Sequence, residues 1–309
     1  MSPFEQKIVK TIIWFDMFNY PLRAEEVLWY LYDESGSESR LSDIQSDLDA
    51  LVAIKRLQSK DGYYFLPGRD NLVEVRKERH KESLKKISLA RSATLLLRIL
   101  PFVKSVILCN VLGYLNAKPA DDIDFLVITT GGRIWTARWY ATGFFKIFGL
   151  RPTKKQTADK FCFSFYISAN DLNIKNITLV SDPYMIWWLA GLLPLYDQAG
   201  YFRQLLEANS WVTKYLPNVM LRYAGSEIYK FKVKNKFQGI KKFFENIHFV
   251  WCERFYRLIQ CRIMPRGLTS KINEKRGVII TDSMLKFHLI DRRQDFADSF
   301  SAKVNQTFK

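Results

Sequence analysis

"VILCNVLGYLNAKPADDIDFLVITTG", residues 106–131, joins two strand-like segments through a loop and contains three aspartates. Its two ends are apolar and rich in β-branched residues, which is typical of buried strands. The second strand opens with Asp122, Ile123 and Asp124. Side chains alternate along a strand with a period of two, so both aspartates are expected on one face while Ile123 points into the core.

Two carboxylates on one face of a strand predict a metal site. Like charges within about 5 Å of each other couple strongly, and a cation between them removes the repulsion. Oxygen ligands suit Mg²⁺ or Mn²⁺. Asp122 and Asp124 are therefore the predicted metal ligands, whereas Asp121 is expected to face the other way as part of the loop.

The flanking sequence predicts a mixed sheet covered by helices. A long helix is expected over 71–100, a covering helix over 133–150 and a further strand over 160–168. This last strand carries no carboxylate, because Asp159 precedes it and Asp171 follows it.

The front of the chain predicts three helices followed by a small hairpin. Apolar residues recur there at helical spacing in three segments, and Asp61-Gly62 is a hairpin turn signal. This order of elements resembles a winged-helix domain. Asp43, Asp47 and Asp49 are expected outward on the third helix, where they would face DNA phosphates without compensation. We therefore expect a module that contacts protein and not DNA.

The last third of the chain is predicted to be mostly helical. One helix is expected to begin after Ser181 or Asp182, with Pro183 in its first turn, and to continue through the "LLPLY" segment. The whole chain is thus predicted to be α+β, with a mixed-sheet core between two flanking regions. The predicted domains are residues 1–70, 71–180 and 181–309.

Charge is unevenly distributed along the chain. The net charge is +16, yet residues 1–50 hold ten acids against four bases, and residues 214–276 hold fifteen bases against four acids. A polyanion responds to local charge, so RNA is a predicted partner of the basic region 230–276. The alternative is that the apolar residues of this region pack inward and its lysines are only solvated. Charge reversal at Lys232, Lys234, Lys241 and Lys242 would distinguish the two.

Composition indicates an ordinary globular protein that acts in the cytoplasm. The four cysteines, Cys109, Cys162, Cys252 and Cys261, are far apart in apolar contexts and are expected to be reduced core thiols. The most apolar run, at 185–195, is shorter than the roughly 20 residues that span a bilayer. No membrane span is expected.

With these elements in place, most of residues 100–295 resembles the nucleotidyltransferase superfamily of the DNA polymerase beta type. The run "LNAKPADDIDFLVIT" is similar to a "GNA(K)…DDIDLLVIT" run in a set of bacterial nucleotidyltransferase-like proteins, which often carry a winged helix as well. The resemblance implies a core that binds Mg²⁺ or Mn²⁺ and a nucleoside triphosphate. In this family a Gly-Ser pair follows the first strand, and a third carboxylate lies on a later strand.

Two parts of that pattern differ in this chain. The Gly-Ser pair falls on Asn110-Val111, and the later strand at 160–168 has no carboxylate. The resemblance implies Asn110 and Val111 as nucleotide-binding residues, with Asn110 as a substitute phosphate donor, and Lys118 near the triphosphate.

Two functions of different classes stay open. One is a nucleotidyltransferase-like protein with a degenerate active site, which binds a divalent metal and a nucleotide, or an RNA or protein partner, as a regulator or scaffold. The other is an active enzyme that transfers NMP from NTP to an unknown acceptor, with Asp122 and Asp124 as catalytic metal ligands. A chance Asp-Ile-Asp in an unrelated α/β core is the third alternative.

Overall fold

The computed structural model of this protein describes residues 1–224, 238–247, 250–273 and 277–308. Within these ranges the chain combines helices with a six-stranded mixed sheet and a separate two-stranded hairpin. The predicted α+β class is therefore confirmed. The winged-helix and nucleotidyltransferase assignments stay predictions.

The front of the chain contains the expected three helices and hairpin. Their bounds are α1 Pro3–Asp16, α2 Ala24–Tyr30, α3 Leu41–Ala53, β1 Gln58–Lys60 and β2 Tyr63–Phe65. α1 begins with a capping box in which Ser2 and Glu5 satisfy each other's backbone N–H groups. Asp61 and Gly62 both have positive φ, 55° and 77°, as a tight hairpin turn requires.

The larger sheet has the strand order β6-β3-β4-β5-β8-β7. Its strands are β3 Val103–Leu108, β4 Ile123–Thr129, β5 Phe161–Ser168, β6 Leu193–Asp197, β7 Val278–Ile280 and β8 Met284–Phe287. Strands β4 and β5 are parallel, and every other neighbouring pair is antiparallel. The two strands that carry the candidate site are thus central and parallel.

The helices of the rest of the described chain surround this sheet. They are α4 Leu72–Leu97, α5 Asn110–Gly113, α6 Ile134–Ile147, α7 Pro183–Ala190, α8 Tyr201–Ala208, α9 Val219–Ala224, α10 Gln238–Ile247, α11 Val250–Arg262, α12 Arg266–Thr269 and α13 Arg293–Thr307, with short 3₁₀ turns at Lys175–Ile177 and Ser210–Lys214. Across the described ranges, none of these helices is both long and apolar enough to cross a bilayer. All four cysteines are free thiols.

The described part of the region 181–309 is mostly helical, as predicted, but it also contributes three strands to the large sheet, which were not predicted. Asp182 caps α7 by accepting from the Met185 backbone N–H, as expected, but the helix ends at Ala190 and "LPLYD" forms β6. β6 is an edge strand, and Pro194 sits opposite Ile107 in it. Proline lacks the N–H that a helix interior needs and is tolerated at a sheet edge.

Alternate residues of β4 face two different helical layers. Phe125 and Val127 pack in the cluster that contains residues of α4 and α6, whereas Leu126 and Ile128 pack in the cluster that contains the N-terminal helices and α7. Asp124 has the same parity as Leu126 and Ile128. The alternation therefore directs Asp124 toward the face covered by α7 and the N-terminal helices.

Aromatic stacking joins the N-terminal helices to the core. The rings of Trp14 and Trp187 are stacked at 4.5 Å between centroids, and Phe300 of α13 meets Trp14 edge-on at 5.5 Å. The indole N–H of Trp187 donates to the Tyr30 carbonyl at 3.1 Å. These contacts fix α1 and α7 next to the end of β4 where the aspartates lie.

Candidate functional site

Asp122 and Asp124 converge with Cys162 at the start of the two parallel strands. One ligand atom of each residue lies within 4.8 Å of the others, and all three side chains are half-buried. Cys162 is the register partner of Asp124 across the β4–β5 pair, which is why its thiol reaches the carboxylates. Ile123 is fully buried between them, so the expected alternation is observed.

Each of these three groups disfavours the negatively charged form of the other two. Burial and the nearby Asp124 carboxylate raise the pKa of Asp122 to about 6. Burial, and then the two carboxylates, raise the pKa of the Cys162 thiol. A divalent cation would favour all three deprotonated forms, since it would replace repulsion by attraction.

Asn110 occupies the strained position directly after β3. Its φ is +55°, a left-handed conformation that asparagine tolerates better than most residues, which accounts for Asn where a Gly was expected. Its side-chain amide donates to Asp124 Oδ2 at 2.7 Å and accepts from the Trp188 indole N–H at 2.8 Å. Asn110 thus orients Asp124 directly.

The other two predicted nucleotide-binding residues lie in different surroundings. Val111 is half-buried in the wall of an aromatic cavity next to Asn110. Lys118 is exposed in the loop before Asp122, and its backbone N–H donates to Asp121 Oδ2 at 2.8 Å. The expected phosphate contact of Lys118 stays a prediction.

A buried lysine anchors the loop that leads into the aspartates. The ammonium group of Lys86 on α4 donates to the carbonyls of Pro119 and Asp121 at 3.0 and 2.9 Å, and to Asp159 Oδ1 at 2.6 Å. The Lys86 side chain has no solvent exposure. It therefore holds the loop near the start of β5 and fixes the path of the chain that leads to Asp122.

The two acids that flank β5 do not join the cluster. Asp159 pairs with Lys86, and Asp171 accepts from the Ser283 hydroxyl at 2.9 Å. Within the described ranges Cys162 is the only further metal-ligating group that meets Asp122 and Asp124. The Cys162 thiol therefore lies on the strand where the family pattern has a third carboxylate.

A cationic cavity of about 190 Å³ adjoins Asn110. It is lined by Lys286, His288, Arg292 and Arg293, together with aromatic residues of α7 and α13. Burial and the nearby Arg293 lower the pKa of Lys286 to about 8. The pKa of His288 is lowered by burial and then by Lys286, and a ring nitrogen of His288 lies 3.0 Å from the Ser164 hydroxyl.

Arg293 is the best-neutralised cation of this cavity. Its guanidinium pairs with Asp182 at 2.9 Å and with Asp291 at 2.5 Å, and it donates to the Ile177 carbonyl. Arg292, by contrast, is exposed at the cavity wall and lies 3.7 Å from Asp295. Besides Arg293 and its partner Asp291, the cations Lys286 and Arg292 line the cavity.

Sequence reasoning missed Cys162, Trp188, Lys286 and His288 as site residues. The sequence predicts Cys162 only as a reduced core thiol. The available signal was positional: Cys162 falls at the start of the strand parallel to β4, and Lys286 interrupts an otherwise apolar strand. Neither signal identifies a site until the strand order is known.

The predicted basic surface over 230–276 is partly wrong. Lys241 is buried, with its ammonium group against the carbonyls of Val103 and Arg98, and burial lowers its pKa to about 8. Lys232 and Lys234 lie outside the described residues. Lys242 is exposed as expected. A buried lysine satisfied by backbone carbonyls cannot contact a polyanion.

No protein family model, curated protein or solved structure matches this chain.

Proposed function

We propose that this chain is a nucleotidyltransferase-like protein with a degenerate active site, which binds a divalent cation and a nucleotide and acts as a regulator or scaffold. The observation that supports this most is the convergence of Asp122, Asp124 and Cys162 within 4.8 Å. The cationic cavity adds a place for phosphate, and it is lined by Asn110, the hydrogen-bond partner of Asp124.

The donor set fits a cation softer than Mg²⁺. Two carboxylates suit Mg²⁺ and Mn²⁺ equally, whereas a thiol is a poor ligand for Mg²⁺ and a better one for Mn²⁺ or Zn²⁺. Asp122 and Asp124 would hold the ion, with Cys162 as the third ligand. When bound, the ion would neutralise phosphate charge. Asn110 would keep Asp124 oriented through its 2.7 Å hydrogen bond.

The same geometry argues against efficient transfer. General-base catalysis needs a carboxylate or comparable base within hydrogen-bond reach of the attacking hydroxyl. The pKa of Cys162 is raised, and the acids near its strand are engaged with Lys86 and Ser283. Both polar atoms of the Asn110 side-chain amide are hydrogen-bonded, one to Asp124 and the other to Trp188. An active transferase is the alternative, because Asp122 and Asp124, the two predicted metal ligands, lie close together.

Calorimetry with Mn²⁺ tests the proposal. The parent protein should bind Mn²⁺, and Asp124→Asn should weaken binding at least tenfold by removing a charged ligand. Asp121→Asn is the matched control, since Asp121 is the neighbouring acid and its side chain accepts from the Lys118 backbone. The proposal is contradicted if the parent protein does not bind Mn²⁺.

A turnover assay separates the two functions. The parent protein is incubated with each of the four NTPs and Mn²⁺, and pyrophosphate release is measured. Nucleotide binding without pyrophosphate release is the expected result. Release that disappears in Asp124→Asn would instead establish the active transferase.

A further inference from the structure

A second cavity, of about 110 Å³, lies where the N-terminal helices meet α7 and the segment after β3. Eight of the eleven residues that line it are aromatic, among them Trp14, Trp187 and Trp188. Val111 and Asn110 also line it, and the Asn110 amide donates to Asp124. We call this space the aromatic cavity.

The aromatic cavity and the cationic cavity adjoin each other, and we refer to the two together as the cleft. Asn110, Tyr184 and Trp188 line both of them. One end is walled by aromatic rings, and the other carries Lys286 and Arg292. Such a cleft is complementary to a molecule with a flat ring at one end and an anionic group at the other.

Size limits the ring that the aromatic cavity can accept. An apolar cavity of roughly 150 Å³ is known to hold one benzene molecule. The aromatic cavity, at about 110 Å³, is smaller than this and can therefore accept one six-membered ring at most. A fused two-ring base would have to displace Trp14 or Trp187, which are stacked on each other at 4.5 Å and are almost fully buried.

Polar groups at the junction could fix the orientation of such a ring. The ring of Tyr184 stacks on Phe296 at 5.5 Å, and among the described residues its hydroxyl has no hydrogen-bond partner. Tyr184 lines both cavities, and its hydroxyl can donate to a carbonyl or accept from an amino group.

We propose that the aromatic cavity is the base-binding half of the nucleotide site and that it prefers a pyrimidine. This rests on the proposed function, which supplies the phosphate and the cation. The base stacks among the rings of α1 and α7, the Tyr184 hydroxyl bonds its edge, and the phosphates extend past Asn110 toward Lys286. The N-terminal helices thus complete the site by supplying one wall.

Tryptophan fluorescence provides the test, because Trp14, Trp187 and Trp188 line the aromatic cavity. The full chain is titrated with uridine, UTP, ATP and inorganic pyrophosphate, with and without Mn²⁺. Uridine and UTP should quench the emission, and UTP should bind about tenfold more tightly than ATP, a difference of the size expected for one stacked base. Pyrophosphate should bind without quenching.

Three variants make the test specific. Val111→Phe fills the aromatic cavity and should weaken uridine binding about tenfold or more. Val75→Phe is the matched control, because Val75 is also half-buried but lies on α4 and lines neither cavity. Tyr184→Phe keeps the ring and removes only the hydroxyl, so it should weaken UTP binding by a few-fold at an unchanged unfolding midpoint.

The outcomes distinguish this inference from the proposed function. Equal affinity for UTP and ATP that Val111→Phe leaves unchanged would overturn the pyrimidine site while the cation site stands. Absence of quenching by uridine would overturn it as well. Quenching by uridine without any binding of Mn²⁺ would instead overturn the proposed function and leave the aromatic cavity as a ring-binding site.

Discussion

Asp122→Asn should stabilise the metal-free protein. Burial and Asp124 raise the pKa of Asp122 from its ordinary 3.8 to about 6. At 1.36 kcal/mol per unit, a gap of about two units corresponds to about 3 kcal/mol. Solvent screens a half-buried group, so we expect about 1–2 kcal/mol. Asparagine has a similar shape and no charge, and it removes this cost.

The raised pKa of Asp122 also sets the direction in which the free energy of unfolding changes with pH. A carboxyl group whose pKa is higher in the folded protein binds its proton more tightly there than in the unfolded chain. The free energy of unfolding therefore falls as pH rises from 3.8 to about 6 and stays lower above that window. The difference between Asp122→Asn and the parent should vanish below pH 3.8 and be complete at neutral pH.

Urea unfolding in the presence of a chelator measures this difference in stability. With Mn²⁺ in place of the chelator, the parent should become the more stable of the two proteins. A ligand that binds only the folded state adds about 2.7 kcal/mol at one hundred times its dissociation constant. The parent should gain this stabilisation and Asp122→Asn should not. Asp121→Asn keeps an oxygen that can accept from the Lys118 backbone N–H, and the Asp121 charge raises the pKa of Asp122 less than Asp124 does, so this variant should gain less in chelator than Asp122→Asn. The reasoning fails if Asp122→Asn is the less stable protein at neutral pH without metal.

Three further substitutions probe the surroundings of the site. Cys162→Asp should tighten Mg²⁺ binding by about tenfold in calorimetry, because it adds a third carboxylate, whereas Cys162→Ser should not. Lys86→Met should lower the free energy of unfolding in urea by about 2–4 kcal/mol, since it leaves the loop carbonyls and Asp159 without their donor. Arg293→Met should cost about 3–5 kcal/mol by the same measurement, because it leaves the buried Asp182 unpaired, and an unchanged unfolding midpoint would contradict the ion pair.

Periodicity was sufficient to predict most of the elements. The three front helices, the hairpin, α4 and strands β3 to β5 follow from apolar spacing and turn residues. The late strands β6 to β8 were not predicted, because each is only three to five residues long and gains its hydrogen bonds from strands far away in sequence. Short apolar runs do not distinguish strand from helix, and pairing decides between them.

The site was predictable only where it is local in sequence. Asp122 and Asp124 are two residues apart on one strand, so alternation alone brings them together. Cys162 and Lys286 arrive through the β4–β5 and β5–β8 pairings, which depend on sheet order. Lys241 shows the opposite error, since a basic run looks exposed in sequence while one of its lysines is buried against backbone carbonyls.

Asn110 connects the two halves of the cleft through one side-chain amide. Its N–H donates to Asp124 and its carbonyl accepts from Trp188, so a ring that moves Trp188 also changes the hydrogen bond to Asp124. A hydrogen bond to a charged acceptor contributes about 1.5–3 kcal/mol, which is large enough to alter cation affinity measurably. Coupling between binding sites is reciprocal, so in the proposed site any effect of the ring on cation affinity would be matched by an equal effect of the cation on ring affinity. The Asn110 side chain would then connect the two ligands, in place of the phosphate contact that the resemblance implies for it.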